Sequence, residues 1–274
     1  MMNILKALFR KIVKAKGSWK VLTGLNKGLK MRYYDDVILM MYFGLHERNT
    51  LSLFNYFIKP GMTVLDIGAN VGYFTKIISD KVGSNGRGIF FEPMSGTFAR
   101  LEETIALNKL TNATAVQKAV SSSNGTQKMY LGSTHFESSL DLNWARENAN
   151  YEEIGTVTID SYCADNQLVP HFIKLDIEGG GAWAVKGMLE TVRKHQPIMI
   201  LESHTVDEDR SFAELVGQAP YRLYRVGRSE PVDGAIEALG TDRGINGTIL
   251  AIPEAKMNEF PGFDPAFFQK HGNR

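Results

Sequence analysis

With 274 residues, 43% of them hydrophobic, the chain can bury the core of one full domain with an appendage. No apolar run reaches the roughly 18 residues a membrane-spanning helix needs, no secretory pattern is expected near Met1, and the one cysteine, Cys163, forbids an internal disulfide and fits a reducing cytoplasm. The 31 Lys and Arg nearly balance the 30 Asp and Glu, but nine of the bases and none of the acids fall in residues 1–32, so a basic head precedes an acidic body and no basic domain face invites nucleic acid.

The first predicted element is a basic amphipathic helix, because Ile4, Leu5, Leu8, Phe9, Ile12 and Val13 share one half of the wheel and Lys6, Arg10, Lys11 and Lys14 the other. Such a helix either lies on an anionic membrane surface through residues 1–20, as a peripheral attachment at the inner face, or covers an apolar face of the body or of a second subunit in a homo-oligomer. Residues 33–57 read as helical, with Leu45, Leu51, Phe54 and Phe57 as packing positions, and Lys59-Pro60-Gly61 turns the chain into its first strand. A division follows: an N-terminal helical segment over 1–45 and the main domain over 46–274.

Strand 63–67, helix 72–82, strand 88–92, helix 95–108 and strand 113–120 then alternate, with Asn108 as the left-handed cap of the second helix. Alternation of this kind predicts a parallel sheet with helices on both faces. Turn residues 121–126 lead to a short strand at 127–131. Residues 132–156, with His135, Phe136, Ser138, Ser139, Trp144 and Tyr151, have little periodicity and read as a lid or acceptor-binding loop. Strands at 157–159, 172–178 and 198–203 continue the sheet, and 222–226 with 248–252 read as a closing antiparallel pair.

Two clusters carry chemistry. In the first, the strand Val64-Leu65-Asp66-Ile67 ends in an acid and runs into Gly68-Ala69-Asn70-Val71-Gly72-Tyr73-Phe74. Small residues admit a ligand to the backbone, and Asp66 offers acceptors to a cation, so the turn reads as the floor of an S-adenosylmethionine (SAM) pocket. Glu92, which ends the next strand, would share that crevice and accept ribose hydroxyls, and Pro93 stops further pairing. A nicotinamide dinucleotide is the competing ligand, but Asn70 and Tyr73 stand where its G-x-G-x-x-G fingerprint needs glycine. In the second cluster, Lys174, Asp176 and Glu178 share one side of an otherwise apolar strand, and Glu202 and His204 end its neighbour. Five polar groups at adjacent strand ends read as a site.

Together the segments 66–74, Phe91-Glu92-Pro93, 173–179, Lys186-Gly187 and 197–202 resemble the FkbM-type family of SAM-dependent methyltransferases, in order and spacing over about residues 46–252. The resemblance implies an α/β fold, a Rossmann-like class I methyltransferase sheet that is mostly parallel with an antiparallel terminal strand, and O-methylation of a hydroxyl on a sugar, a glycan or a natural product. It implies that Asp66, Gly68, Asn70, Gly72 and Tyr73, with Phe74 closing the motif, hold the methionyl part of SAM. Glu92 takes the ribose, Pro93 shapes the pocket, Ala119 and Val120 border the adenine, and Glu47 adds a contact to the amino group. Asp176 is shared between cofactor and chemistry. Gly181 departs from the family pattern, which has an acid there.

His204 is the natural base for an acceptor hydroxyl, oriented by Asp176 or Glu202. Alternatively Asp176, Glu202 and His204 hold Mg²⁺ or Mn²⁺ and acidify the hydroxyl. A SAM-binding scaffold that docks through the basic helix is the non-enzymatic reading.

Overall fold

A computed structural model describes residues 17–32, 38–130, 150–177, 180–226, 247–261 and 263. The basic helix expected at 4–14 and the greater part of the loop expected at 132–156 lie outside them.

Seven strands form the main sheet: β3 (Thr63–Ile67), β4 (Arg87–Phe91), β5 (Ala113–Val116), β9 (Phe172–Leu175), β10 (Ile198–Ser203), β11 (Tyr221–Arg225) and β12 (Gly247–Pro253). Their order is β11-β12-β10-β9-β3-β4-β5. The strands from β5 to β10 are parallel, and β12, last in the chain, inserts antiparallel between β10 and β11. This is the expected Rossmann-like sheet with its antiparallel closing pair. The order reverses at β3: the chain builds outward through β4 and β5, then returns to β3's other side with β9. The carboxyl ends of β3, β4 and β9 therefore open at a topological switch point, where α/β sheets bind ligands.

Period-two alternation sends the two sides of each strand into different cores. Val64, Phe90, Phe172 and Ile200 pack with α2 (Arg48–Phe57) and α3 (Thr75–Val82) through Leu53, Phe54, Phe57, Ile77 and Ile78. Leu65, Phe91, Ile173, Leu175 and Leu201 pack on the opposite face with α5 (Ile159–Asp165), α6 (Gly181–Lys186), α7 (Leu189–His195) and α8 (Val206–Val216) through Cys163, Val185, Val192 and Phe212. Cys163 is thus a buried structural thiol, and burial pushes it up to about 11.

Several local expectations are corrected. The chain at 17–32 is a two-stranded hairpin, β1 (Ser18–Lys20) with β2 (Lys30–Arg32), not a helix. Trp19, Val21, Leu29 and Met31 alternate inward into the core that α2 and α3 share, and lysines between them turn outward. The helix expected over 33–57 is broken into α1 (Ile38–Tyr42) and α2, with Gly44 at φ 66° between them. Leu51, Phe54 and Phe57 are buried as expected, but Leu45 sits in that break and is exposed.

Residue Asn108 does not cap α4 (Ser95–Asn108). Lys109 takes the left-handed conformation at φ 55°, while the Asn108 amide bridges Lys30 and Thr104 carbonyls and ties β2 to the helix. The strand expected over 113–120 divides at Gln117-Lys118 into β5 and β6 (Ala119–Val120). The latter joins β7 (Gly125–Tyr130) and β8 (Tyr151–Val157) in a small second sheet. Residues 151–156, assigned to the loop from sequence, therefore belong to a strand: Ile154 and Thr156 are buried on one face while Glu153 and Gly155 occupy the other.

Candidate active site

The turn after β3 is a device for closeness. Gly68 has φ 86°, and a Cβ there would run into the Asp176 carbonyl, so β3 and β9 meet at this point only because residue 68 is glycine. Asn70 also adopts positive φ, 51°, and Gly72 follows at 84°. The strained Asn70 is held by Glu92, whose Oε2 accepts from Asn70 N at 3.1 Å while its Oε1 accepts from Met94 N at 3.0 Å. Glu92 thus fastens the first turn to the second. Burial pushes its carboxyl up to about 7, against the pull of those two amides, and Asp66 adds to the rise.

Under this turn lies a sealed charge cluster. Asp66 and Lys174 are register partners on β3 and β9, both on the α2 side of the sheet and both closed to solvent. Lys174 Nζ is 2.9 Å from Asp176 Oδ2, 3.6 Å from Asp66 Oδ1, and 5.2 Å above the Phe74 ring. Burial works against the ammonium charge, yet Asp176, Asp66 and Glu47 outweigh it and hold Lys174 well above the usual lysine value. Neither Asp66 oxygen has a hydrogen-bond partner, and burial raises its carboxyl to about 6 despite Lys174. A buried acid with both oxygens unbonded is costly unless a cation or donor arrives.

At the rim, Asp176, Glu202 and His204 present one atom each within 4.8 Å of one another. His204 Nε2 lies 3.8 Å from Asp176 Oδ1 and 4.0 Å from Glu202 Oε1, and its Nδ1 lies 3.6 Å from Glu208 Oε2. Glu202 is pushed up to about 7 by burial first and then by Asp176 and Glu47. A cavity of about 400 Å³ opens beside them, lined by Glu47, Glu202, Thr248, Met40 and Leu45.

Most residues singled out from sequence are brought together here. Glu47 starts α2 at φ 43°, lines the cavity, and lies close enough to lower its own carboxyl through His46 and Lys174 against the effect of burial. Pro93 is buried behind Glu92, and Ala119 forms a small apolar cluster with Met94 and Ile154, while Val120 joins the core under β4. Lys174 is sealed beneath the site and serves as a countercharge. Tyr73 is buried, its ring against His46 and Phe74. Glu178 lies outside the described residues.

Sequence reasoning missed Glu208. Its carboxylate accepts from His204 N at 2.7 Å, Thr205 N at 3.0 Å and Gly181 N at 3.0 Å, so one buried side chain joins β10, α8 and the start of α6. Thr205 and Glu208 form a capping box, and their T-x-x-E spacing was a readable signal. The same contact explains Gly181: a Cβ there would stand 2.9 Å from Glu208 Oε1. The carboxylate of α8 occupies the space an acid at 181 would need.

The family model described as the methyltransferase FkbM domain matches residues 66–226. Among solved structures, the chain is similar to an FkbM methyltransferase from Methylobacillus flagellatus KT, with 15% identity and a TM-score of 0.46, over 80% of this chain and 55% of that one. It is also similar to a SAM-dependent O-methyltransferase from Thermotoga maritima (10% identity, TM-score 0.42, 75% of this chain and 64% of that one). A third similar structure is Aeropyrum pernix fibrillarin with natively bound SAM (10% identity, TM-score 0.41, 71% of this chain and 67% of that one). No curated protein matches.

Proposed function

The chain belongs to the FkbM methyltransferase family, and on that premise we propose that it transfers a methyl group from SAM to a hydroxyl of a sugar, glycan or natural-product acceptor. The observation that carries the cofactor is Asp66: two unbonded carboxylate oxygens, wholly buried at the switch point, fit a ligand that brings an ammonium group. The residues fit SAM along its length. Asp66 and the backbone of Gly68, Asn70 and Gly72 would hold the methionyl end, Glu92 the ribose, and Met94, Ala119 and Ile154 the adenine face. When bound, SAM supplies an electrophilic methyl on a sulfonium.

The chain's part is positioning and proton transfer. An acceptor seated in the cavity by Glu47 and Glu202 brings its hydroxyl to His204. The Glu208 carboxylate 3.6 Å from Nδ1 would favour the tautomer with its proton there, leaving Nε2 to take the acceptor hydroxyl's proton. Uncompensated carboxylates beside a bound sulfonium would favour the ground state over the transition state of transfer. Lys174 between Asp66 and Asp176 offsets them.

A second reading is favoured by the convergence of Asp176, Glu202 and His204: a divalent metal, Mg²⁺ or Mn²⁺, held by these three with Glu208 behind the histidine. Activity retained after chelation selects the histidine base, and activity lost selects the metal.

Calorimetry with S-adenosylhomocysteine tests the cofactor: binding to the wild-type chain and none to Asp66→Ala supports it, and binding of NADH instead refutes it. Cofactor affinity with no label transferred from methyl-labelled SAM to hydroxylated acceptors would leave a scaffold. The acceptor is found by mass spectrometry of cell-surface glycans with and without the gene.

A further inference from the structure

Two turns at the N-terminal end of the described chain lie back to back: Leu22 N donates to Tyr42 O at 2.9 Å, Thr23 Oγ1 donates to Phe43 O, and the Gly24 and Gly44 backbones touch. Their apolar side chains point outward. Leu22, Leu25, Met40, Phe43 and Leu45 are 39–53% exposed, and they are five of the eight exposed large hydrophobics among the described residues. Leucines and a phenylalanine gathered on two adjacent turns are a patch, where scattered single ones would need no explanation.

Three further features say what covers it. Lys20, Lys27 and Lys30 stand exposed on the same hairpin, and residues 1–32 carry nine Lys or Arg and no acid, against two acids between the turns, Asp35 and Asp36, which lie outside the described residues. Apolar knobs on a lysine-bearing hairpin match an anionic bilayer, which takes the knobs among its acyl chains and the lysines at its phosphates. Finally, Met40 and Leu45 belong both to this patch and to the lining of the 400 Å³ cavity that holds Glu47 and Glu202. The patch is continuous with the acceptor side of the site.

We propose that the surface formed by Leu22, Leu25, Met40, Phe43 and Leu45 seats the protein on an anionic membrane, so that the acceptor cavity opens at the lipid surface and receives a hydroxyl carried by a membrane-anchored molecule. The acceptor clause rests on the reading of the cavity as a methyl-acceptor site; the seating does not, because it requires neither cofactor nor acceptor.

Vesicle flotation of the full chain tests it. With phosphatidylcholine vesicles containing phosphatidylglycerol, the wild type floats; with phosphatidylcholine alone in high salt, it stays in the dense fraction. The triple variant Leu22→Ser, Leu25→Ser, Phe43→Ser keeps residues 1–16 and the cofactor pocket, and its partition falls about tenfold or more. Thermal unfolding and calorimetry with S-adenosylhomocysteine show that this variant is folded and that the cofactor reading stands or falls separately. Wild-type chain that stays off anionic vesicles, or a folded triple variant that floats as well as the wild type, overturns the proposal. So does a wild-type dimer that never floats and that the variant turns into a monomer, which would assign the patch to a second copy.

Discussion

Lys174 and Asp66 sit side by side on parallel strands with Nζ 3.6 Å from Oδ1, and the lysine also reaches Asp176 at 2.9 Å. The three form a charge row across β3 and β9 with its inner end sealed. Removing the lysine leaves the two acids uncompensated, which costs more than removing a matched pair. Lys174→Met should therefore lose about 3–5 kcal/mol in urea unfolding. The double variant Lys174→Met, Asp66→Asn should recover part of that loss; a double variant less stable than Lys174→Met would refute the coupling.

Asp66 also sets a pH dependence. Its folded carboxyl, raised by burial to about 6 from its ordinary 3.8, holds its proton where the unfolded chain has lost it. The native state then binds more protons between those values, so the Asp66 contribution turns unfavourable as pH rises from about 4 to about 6 and stays so above. Relative to the wild type, Asp66→Asn should gain stability across that window, by up to about 3 kcal/mol. Affinity for S-adenosylhomocysteine should move oppositely, rising over the same range in the wild type as the acid ionises to meet an ammonium, and the slope should vanish in the variant. Paired unfolding and calorimetry at pH 4.5 and 7, taken as about those values, read both signs.

The sheet was legible because strands buried on both faces are apolar runs, and in this chain acids mark where three of them stop: Asp66, Glu92 and Asp176. The site was legible for the same reason, since charges at the ends of apolar strands have few bland uses. Local chemistry hid the rest. The hairpin at 17–32 alternates apolar and basic residues over only three positions per strand, and Lys109 took the left-handed cap because the Asn108 amide was used by Lys30 and Thr104. The T-x-x-E spacing marks Glu208 as a cap, but its bond to Gly181 depends on α8 folding back over the start of α6, a relation between residues 181 and 208 that no spacing rule supplies.

Glu208 should tune His204 as well as cap α8. Replacing it by glutamine keeps one carbonyl acceptor, enough for the His204 and Thr205 amides that share Oε2, gives up the Gly181 bond to Oε1, and removes the negative charge 3.6 Å from Nδ1. An imidazolium loses a stabilising partner, so the His204 pKa should fall in Glu208→Gln by histidine NMR titration, with Asp176 and Glu202 still facing Nε2. An unchanged titration would mean that the ring does not sense Glu208 and that the carboxylate only caps.

The exchange of positions between residues 181 and 208 gives the sharpest structural test. Gly181 is the first residue of α6, and its missing side chain leaves room for the Glu208 carboxylate, which a Cβ would approach to 2.9 Å at Oε1 and 3.0 Å at Cγ. Both atoms belong to a buried side chain already committed to three amides, so it cannot swing aside without giving up bonds worth about 1 kcal/mol each. Gly181→Ala should cost about 1–3 kcal/mol for this reason. Gly181→Glu should cost more, because it adds a second buried carboxylate against the first. Combining it with Glu208→Gly returns one acid to one space, this time from α6, and should recover at least half of the loss in thermal unfolding. If the double variant is no more stable than Gly181→Glu, the two positions do not share a site for one carboxylate, and the glycine at 181 needs another cause.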